Sequence, residues 1–191
     1  MAQLPLTVRR WRRDEYDRLV DLGVFADEPL ELIGGQLIVA EPKGEYHSSA
    51  VNAAEYAVRA VLPPGWIVRG QLPVSLDDES APEPDIVVVP GRPADYRHAH
   101  PVRPPLAIEV SDSSLVFDRE QKGSLFARGG LPDYWIVNLV ERVVEVYRDP
   151  VEDASAAFGW RYRSVMVLGP GDLVVPLAFP DIHIAVSDLL P

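Results

Sequence analysis

The run Leu106-Ala107-Ile108-Glu109-Val110-Ser111 places a carboxylate inside an apolar strand. Alternation puts Leu106, Ile108 and Val110 on one face and Ala107, Glu109 and Ser111 on the other. Small neighbours leave room beside Glu109, and a buried carboxylate needs a cation, a metal or hydrogen-bond donors. The preceding apolar run, Ile86–Val89, opens with Asp85 on the face of Val87 and Val89. If the two strands are neighbours, Asp85 and Glu109 converge. Two converging carboxylates suit a hard cation such as Mg2+, which completes its shell with water and phosphate oxygens. The competing readings are a turn role for Asp85 after Pro-Glu-Pro and a structural pair of Glu109 with an arginine.

Lys122 is the third element of this pattern. The chain has 18 lysines and arginines, and only Lys43 and Lys122 are lysines. A compact ammonium that can orient water or meet a developing phosphate charge is not interchangeable with a guanidinium. Lys122 lies three and four residues before Leu125 and Phe126, at the border of an apolar helical stripe. Its alternative role is an i,i+4 pair with Asp118.

With 191 residues the chain is expected to form one domain, 1–191, large enough for a real core. The absence of cysteine excludes disulfides, thiolate zinc sites and cysteine nucleophiles, and it fits a reducing cytoplasmic setting. No apolar run approaches the ~20 residues of a membrane span. Arg9, Arg10, Arg12 and Arg13 fall where a signal peptide needs an apolar core. The net charge of −11 is opposite in sign to that of a typical nucleic-acid binder. Binding to a phosphate backbone must then be local, metal-assisted, or weak at physiological salt.

Residues 5–11 read as extended and 14–22 as a short helix. Gly34-Gly35 marks a hairpin between strands 30–33 and 36–40, with Glu31 on the face opposite Leu30 and Leu32. Residues 45–62 form a helix whose stripe is His47, Val51, Ala54, Val58 and Val61. Strands are expected at 66–69, 71–76, 133–138 and 143–148. The pattern also predicts a helix over 117–128, a last hairpin from 161–168 to 173–176 and a final helix over 185–190. His98 and His100, in a proline-rich loop, read as surface. Tyr134, Trp135, Val144 and Val146 form the most hydrophobic hairpin of the chain, which suggests a symmetric homodimer or simply a core. There is no phosphate-cradling glycine loop, nucleophile elbow or dinucleotide fingerprint.

Several segments occur in an order that resembles a known family. They are Glu-Leu-Ile-Gly-Gly-Gln-Leu at 31–37, His47, Glu-Pro-Asp-Ile at 83–86, Ile-Glu-Val-Ser at 108–111 and Asp-Arg-Glu-Gln-Lys at 118–122. Gly-Leu-Pro-Asp-Tyr-Trp-Ile-Val follows at 130–137. They resemble the Uma-two family of putative restriction endonucleases, within the PD-(D/E)xK nuclease superfamily, over about residues 7–148.

The resemblance implies an α+β fold of the restriction-endonuclease type, a central mixed β-sheet flanked by helices. It implies a Mg2+ site (Mn2+ as substitute) from Asp85 and Glu109, aided by the Val110 carbonyl. It further implies catalytic roles for Lys122, Glu31 and His47, a DNA substrate and 5′-phosphate products. Three departures stand out. Ser111 occupies the position where the superfamily carries its lysine, Gln36 replaces a hairpin acid, and Ser111-Asp112-Ser113-Ser114 lacks the usual Ser-Pro-Ser. Two functions stay open: a metal-dependent DNA endonuclease, or a weak or inactive relative that serves as a binding or assembly module.

Overall fold

The structure, a computed structural model, describes residues 7–39 and 43–191. In chain order they form α1 (Arg13–Asp21), β1 (Leu30–Ile33), β2 (Gln36–Val39), α2 (Glu45–Val61), β3 (Trp66–Gly70), β4 (Ile86–Pro90) and β5 (Leu106–Ser111). Then come α3 (Leu115–Phe117), a π-helical turn (Asp118–Lys122), α4 (Gly123–Arg128), β6 (Asp133–Asn138), β7 (Val143–Glu152) and β8 (Trp160–Leu168). Two short strands, β9 (Leu173–Val174) and β10 (Ile184–Ala185), and helix α5 (Val186–Leu189) finish the chain.

Six strands make the central sheet, in the order β3-β4-β5-β6-β7-β8. β5 and β6 run parallel and every other neighbouring pair is antiparallel. A parallel pair needs a crossover, and the helical stretch between them supplies it. The central strands are buried on both faces, which explains their nearly continuous apolar runs. On one face Ala50, Val51, Ala54 and Val58 of α2 pack with Val88, Ile108, Val110 and Trp135. On the other, Leu125, Phe126 and Ala127 of α4 pack with Val87, Ala107, Tyr134 and Ile136. The β4–β5 register pairs Val87 with Ala107 and Ile86 with Ile108. One step further along the ladder, Asp85 and Glu109 emerge on the α4 face.

The structure departs from the sequence expectations in specific places. Residues 71–76 are not a strand, because Pro73 removes a donor from the middle of the run; Val74 instead donates its N–H to the Pro82 carbonyl. β9 pairs with β10, not with β8, because Val174 and Ile184 are drawn into the core beneath α2. The helix expected over 117–128 starts at Leu115 and is interrupted by the π-turn. The final helix is the shorter α5. Val61, expected on the α2 stripe, is 36% exposed. Ala40 of the expected second strand and residues 5 and 6 of the extended start lie outside the described residues.

The ground for a dimer also changes. Tyr134, Trp135, Val144 and Val146 are fully buried within the chain itself, so that hairpin is core and offers no interface.

Phe126 is fully buried and packs its ring 4.9 Å from that of Tyr134. Phe126→Ala is expected to destabilise the fold by about 3–5 kcal/mol through lost burial and a cavity. A urea titration measures this as a lower midpoint with little change in slope.

Candidate active site

Two backbone amides lock the acids of β4 and β5 together. The Asp85 N–H donates to Glu109 Oε2 at 3.3 Å, and the Val110 N–H donates to Asp85 Oδ2 at 2.9 Å. The other oxygens meet cations. Glu109 Oε1 accepts a hydrogen bond from Lys122 Nζ at 2.9 Å, and Asp85 Oδ1 pairs with Lys43 Nζ. Gln71 Nε2 also reaches Asp85 Oδ1, at 3.4 Å. The Asp85 side chain is 2% exposed and that of Glu109 4%, so these are dry carboxylates with cationic partners.

The π-turn delivers Lys122. Its defining bond runs from the Gly123 N–H to the Asp118 carbonyl, which also accepts the Tyr134 hydroxyl at 3.0 Å. The Asp118 carboxylate accepts hydroxyls from Ser111 at 2.7 Å and Ser114 at 2.6 Å. These contacts hold the widened turn against β5. Such single turns recur at functional sites. Ser111 therefore spends its side chain on Asp118, while the ammonium reaches Glu109 from the helix. The same turn carries Arg119, whose guanidinium grips the buried Glu145 of β7 at 2.5 and 3.0 Å.

Glu31 and His47 complete the convergence. Glu31 Oε1 lies 3.3 Å from Lys122 Nζ, and Glu31 Oε2 accepts the Glu83 N–H at 3.0 Å. His47 Nε2 lies 2.7 Å from the Val110 carbonyl and 3.8 Å from Asp85 Oδ2. That carbonyl can only accept, so Nε2 is the donor of this bond. Nδ1 is buried and has no partner among the described residues. Glu31, Lys43, His47, Asp85, Glu109 and Lys122 line one cavity of about 340 Å3. Gln36 is exposed and not among the lining residues, so the acid missing there is not missing from the cavity. His98 and His100 are exposed on their loop.

Three members were not singled out from the sequence. Lys43 had a signal, as the second of two lysines. Asp118 was weighed only as a helix-surface partner of Lys122, and its burial comes from the π-turn. Glu83 had none beyond its place before Asp85.

Burial pushes the Glu109 carboxyl well above its ordinary value, against the downward pull of Lys122. Burial likewise raises Asp118, opposed by Lys122 and the two serines. Burial alone would lower Lys122, but Glu109, Glu31 and Asp118 outweigh it and hold the ammonium charged. Burial, then Glu31, pushes Glu83 up to about 7. The site thus crowds carboxyl groups beyond what its two lysines neutralise. Among the described residues no cluster of three or more His, Cys, Asp or Glu is arranged to cage a metal. Asp85 and Glu109 with the Val110 carbonyl nevertheless offer an all-oxygen set. Such a set fits Mg2+, which keeps several waters and needs only one or two carboxylates.

The raised Glu83 has a consequence for stability. The folded state keeps its proton up to about pH 7, whereas the unfolded chain loses it near the ordinary value of 4.5. This group's contribution is therefore fully present below that value and is lost as pH rises to about 7. Glu83→Gln is expected to remove the loss, so the variant's melting temperature gains on the parent's between about pH 5 and pH 8. Melting curves across that range measure it, and parallel pH profiles would contradict it.

No curated protein matches the chain. A crystal structure titled as a putative nuclease belonging to DUF820, from Anabaena variabilis, is similar in fold. The TM-score is 0.64 at 20% identity, and the match covers 84% of this chain and 88% of that one. The mixed sheet flanked by helices expected from the sequence is present, with six strands, and the fold is shared with that crystal structure. The sequence profile of the family Uma2, described as "Putative restriction endonuclease", matches residues 13–187, and the chain belongs to that family.

Proposed function

We propose that this protein is a metal-dependent endonuclease that hydrolyses DNA phosphodiesters. The observation that carries the reading is the Lys122–Glu109–Asp85 cluster, buried beneath an open cavity. Membership of a family described as restriction endonucleases supports a nucleic-acid substrate.

Asp85 and Glu109 would hold the divalent cation, Mg2+ or Mn2+, together with the Val110 carbonyl. When bound, such an ion polarises a phosphoryl oxygen and lowers the pKa of a coordinated water. Lys122, kept charged by its acidic neighbours, donates to the attacking water and to charge that builds on the phosphoryl oxygens. Glu31 fixes the ammonium from its second side. His47 orients the Val110 carbonyl by its hydrogen bond. Because the cation offsets the crowded carboxyls, it also answers the net charge of −11 locally: it supplies positive charge where the phosphate must sit.

A second reading has one observation in its favour. Lys43 already neutralises Asp85, so the site is tolerable without a metal, as an inactive binding module would require.

Plasmid nicking in Mg2+ or Mn2+ separates the two. Glu109→Gln is expected to abolish cleavage and sharply weaken metal binding, because an amide carries no charge, while the fold persists. Lys122→Ala should bind metal yet cut about 10²–10³ times more slowly, the usual loss when one preorganised donor is removed. A Glu109→Gln protein that cuts at the parent rate refutes the assignment. A folded parent that cuts no DNA establishes the inactive reading.

A further inference from the structure

Both lysines of the chain line the cavity, each on a different one of the two carboxylates. Lys122 holds Glu109 and is 8% exposed; Lys43 holds Asp85 and is 35% exposed. Their supports differ. Lys122 has Glu109 and Glu31 as partners and sits on a turn pinned by Tyr134, Ser111 and Ser114. Lys43 reaches in from the segment before α2, and Asp85 is its one ion-pair partner among the described residues.

Asp85 Oδ2 already accepts the Val110 amide at 2.9 Å, whereas Oδ1 accepts, among the described residues, only the long 3.4 Å bond from Gln71 besides its ion pair, so Oδ1 is the oxygen a cation takes most readily. That is the oxygen Lys43 covers. A hard divalent ion and an ammonium cannot share it without strong repulsion at close range. An ammonium on a flexible four-carbon stem can move aside at small cost and keep its charge inside the cavity. There it stays near Glu83 and Glu31, and the phosphate drawn to the ion becomes a further anion within its reach.

We propose that Lys43 is a second substrate-binding lysine of this site: it neutralises Asp85 until the divalent cation arrives, then turns to the phosphate of the bound nucleic acid. The phosphate contact rests on the nuclease reading above; the exchange on Asp85 does not. The chain's use of arginine almost everywhere else fits this role. A guanidinium would bind Asp85 in a rigid fork and yield it less readily, as Arg119 does with Glu145.

The test uses the full chain and two measurements. Calorimetric titration with Mn2+ alone, without DNA, is expected to show Lys43→Ala binding the metal about tenfold more tightly than the parent, since a competing charge is gone. Duplex binding in Ca2+ over a range of NaCl is expected to show a salt slope smaller by about one for Lys43→Ala, the signature of one lost phosphate contact. Lys43→Arg, which keeps the charge but yields Asp85 less readily, should bind Mn2+ no more tightly than the parent, and circular dichroism should show both variants folded. An unchanged or weaker Mn2+ affinity in folded Lys43→Ala overturns the exchange, and an unchanged slope overturns the phosphate contact. A parent that binds Mn2+ but no duplex sinks the nuclease reading and the phosphate contact together. A parent that binds both, with neither quantity moved by Lys43→Ala, sinks this proposal alone.

Discussion

A carboxylate buried in the middle layer of a protein must be matched by charge, and here the match comes from the helix packed on the sheet. Glu109 faces α4's side of the sheet, where water is scarce, and Lys122 is the cation that reaches it. An uncompensated buried carboxylate costs several kcal/mol or shifts to its protonated form. The path of the chain between β5 and β6 answers to this need. The crossover helix takes a π-turn at Asp118–Lys122, and Ser111, Ser114 and Tyr134 spend their hydroxyls on it. Their placement turns a structural requirement into a fixed ammonium beside two acids.

The same turn holds a second cation, and the contrast is informative. β5, β6 and β7 place Glu109, Ile136 and Glu145 in one row across the sheet. Arg119 grips Glu145 with two bonds, and Tyr147 and Asn138 satisfy the remaining capacity of that carboxylate. This pair is closed. Glu109 is left open: its lysine is shared with Glu31, its second oxygen accepts, among the described residues, only the Asp85 amide at 3.3 Å, and a cavity lies above it. Arginine closes one pair and lysine leaves the other available, as the geometry of their donors dictates.

The two faces of the sheet divide the work of folding and function. The α2 face is apolar from Val68 to Val146, and its buried exception, Asp133, is satisfied by Trp135, Arg148 and the Leu177 amide. The α4 face is apolar over Val87, Ala107, Tyr134 and Ile136, and gives way to acids two residues further along β4 and β5. An acidic chain thereby concentrates its strained charge in one place. Its excess carboxyls there favour a cation, and under the proposed function the site's affinity for phosphate would depend on that cation.

The sequence by itself determined the strands at the sheet's centre, from the apolar runs at 86–89, 106–110 and 133–138, and the face of its own strand on which each acid lies. That the two strands are neighbours, so that Asp85 and Glu109 meet, is the work of the β4–β5 register. Lysine rarity singled out Lys122 before any contact was known. Only the tertiary structure decided the π-turn, the burial of Asp118 and the tie between Arg119 and Glu145, because each depends on how the helix seats on the sheet, against Ser111, Tyr134 and Glu145. It also decided that Lys43 sits on Asp85, 42 residues apart in sequence. The hairpin 133–146 was ambiguous in sequence because an apolar surface for a partner and an apolar core read alike; the strands on either side of it settled the matter. The end of the chain was misread for a related reason. Turn residues at Gly169–Gly171 signal a reversal, but which strand receives the returning chain depends on what Val174 and Ile184 can bury against.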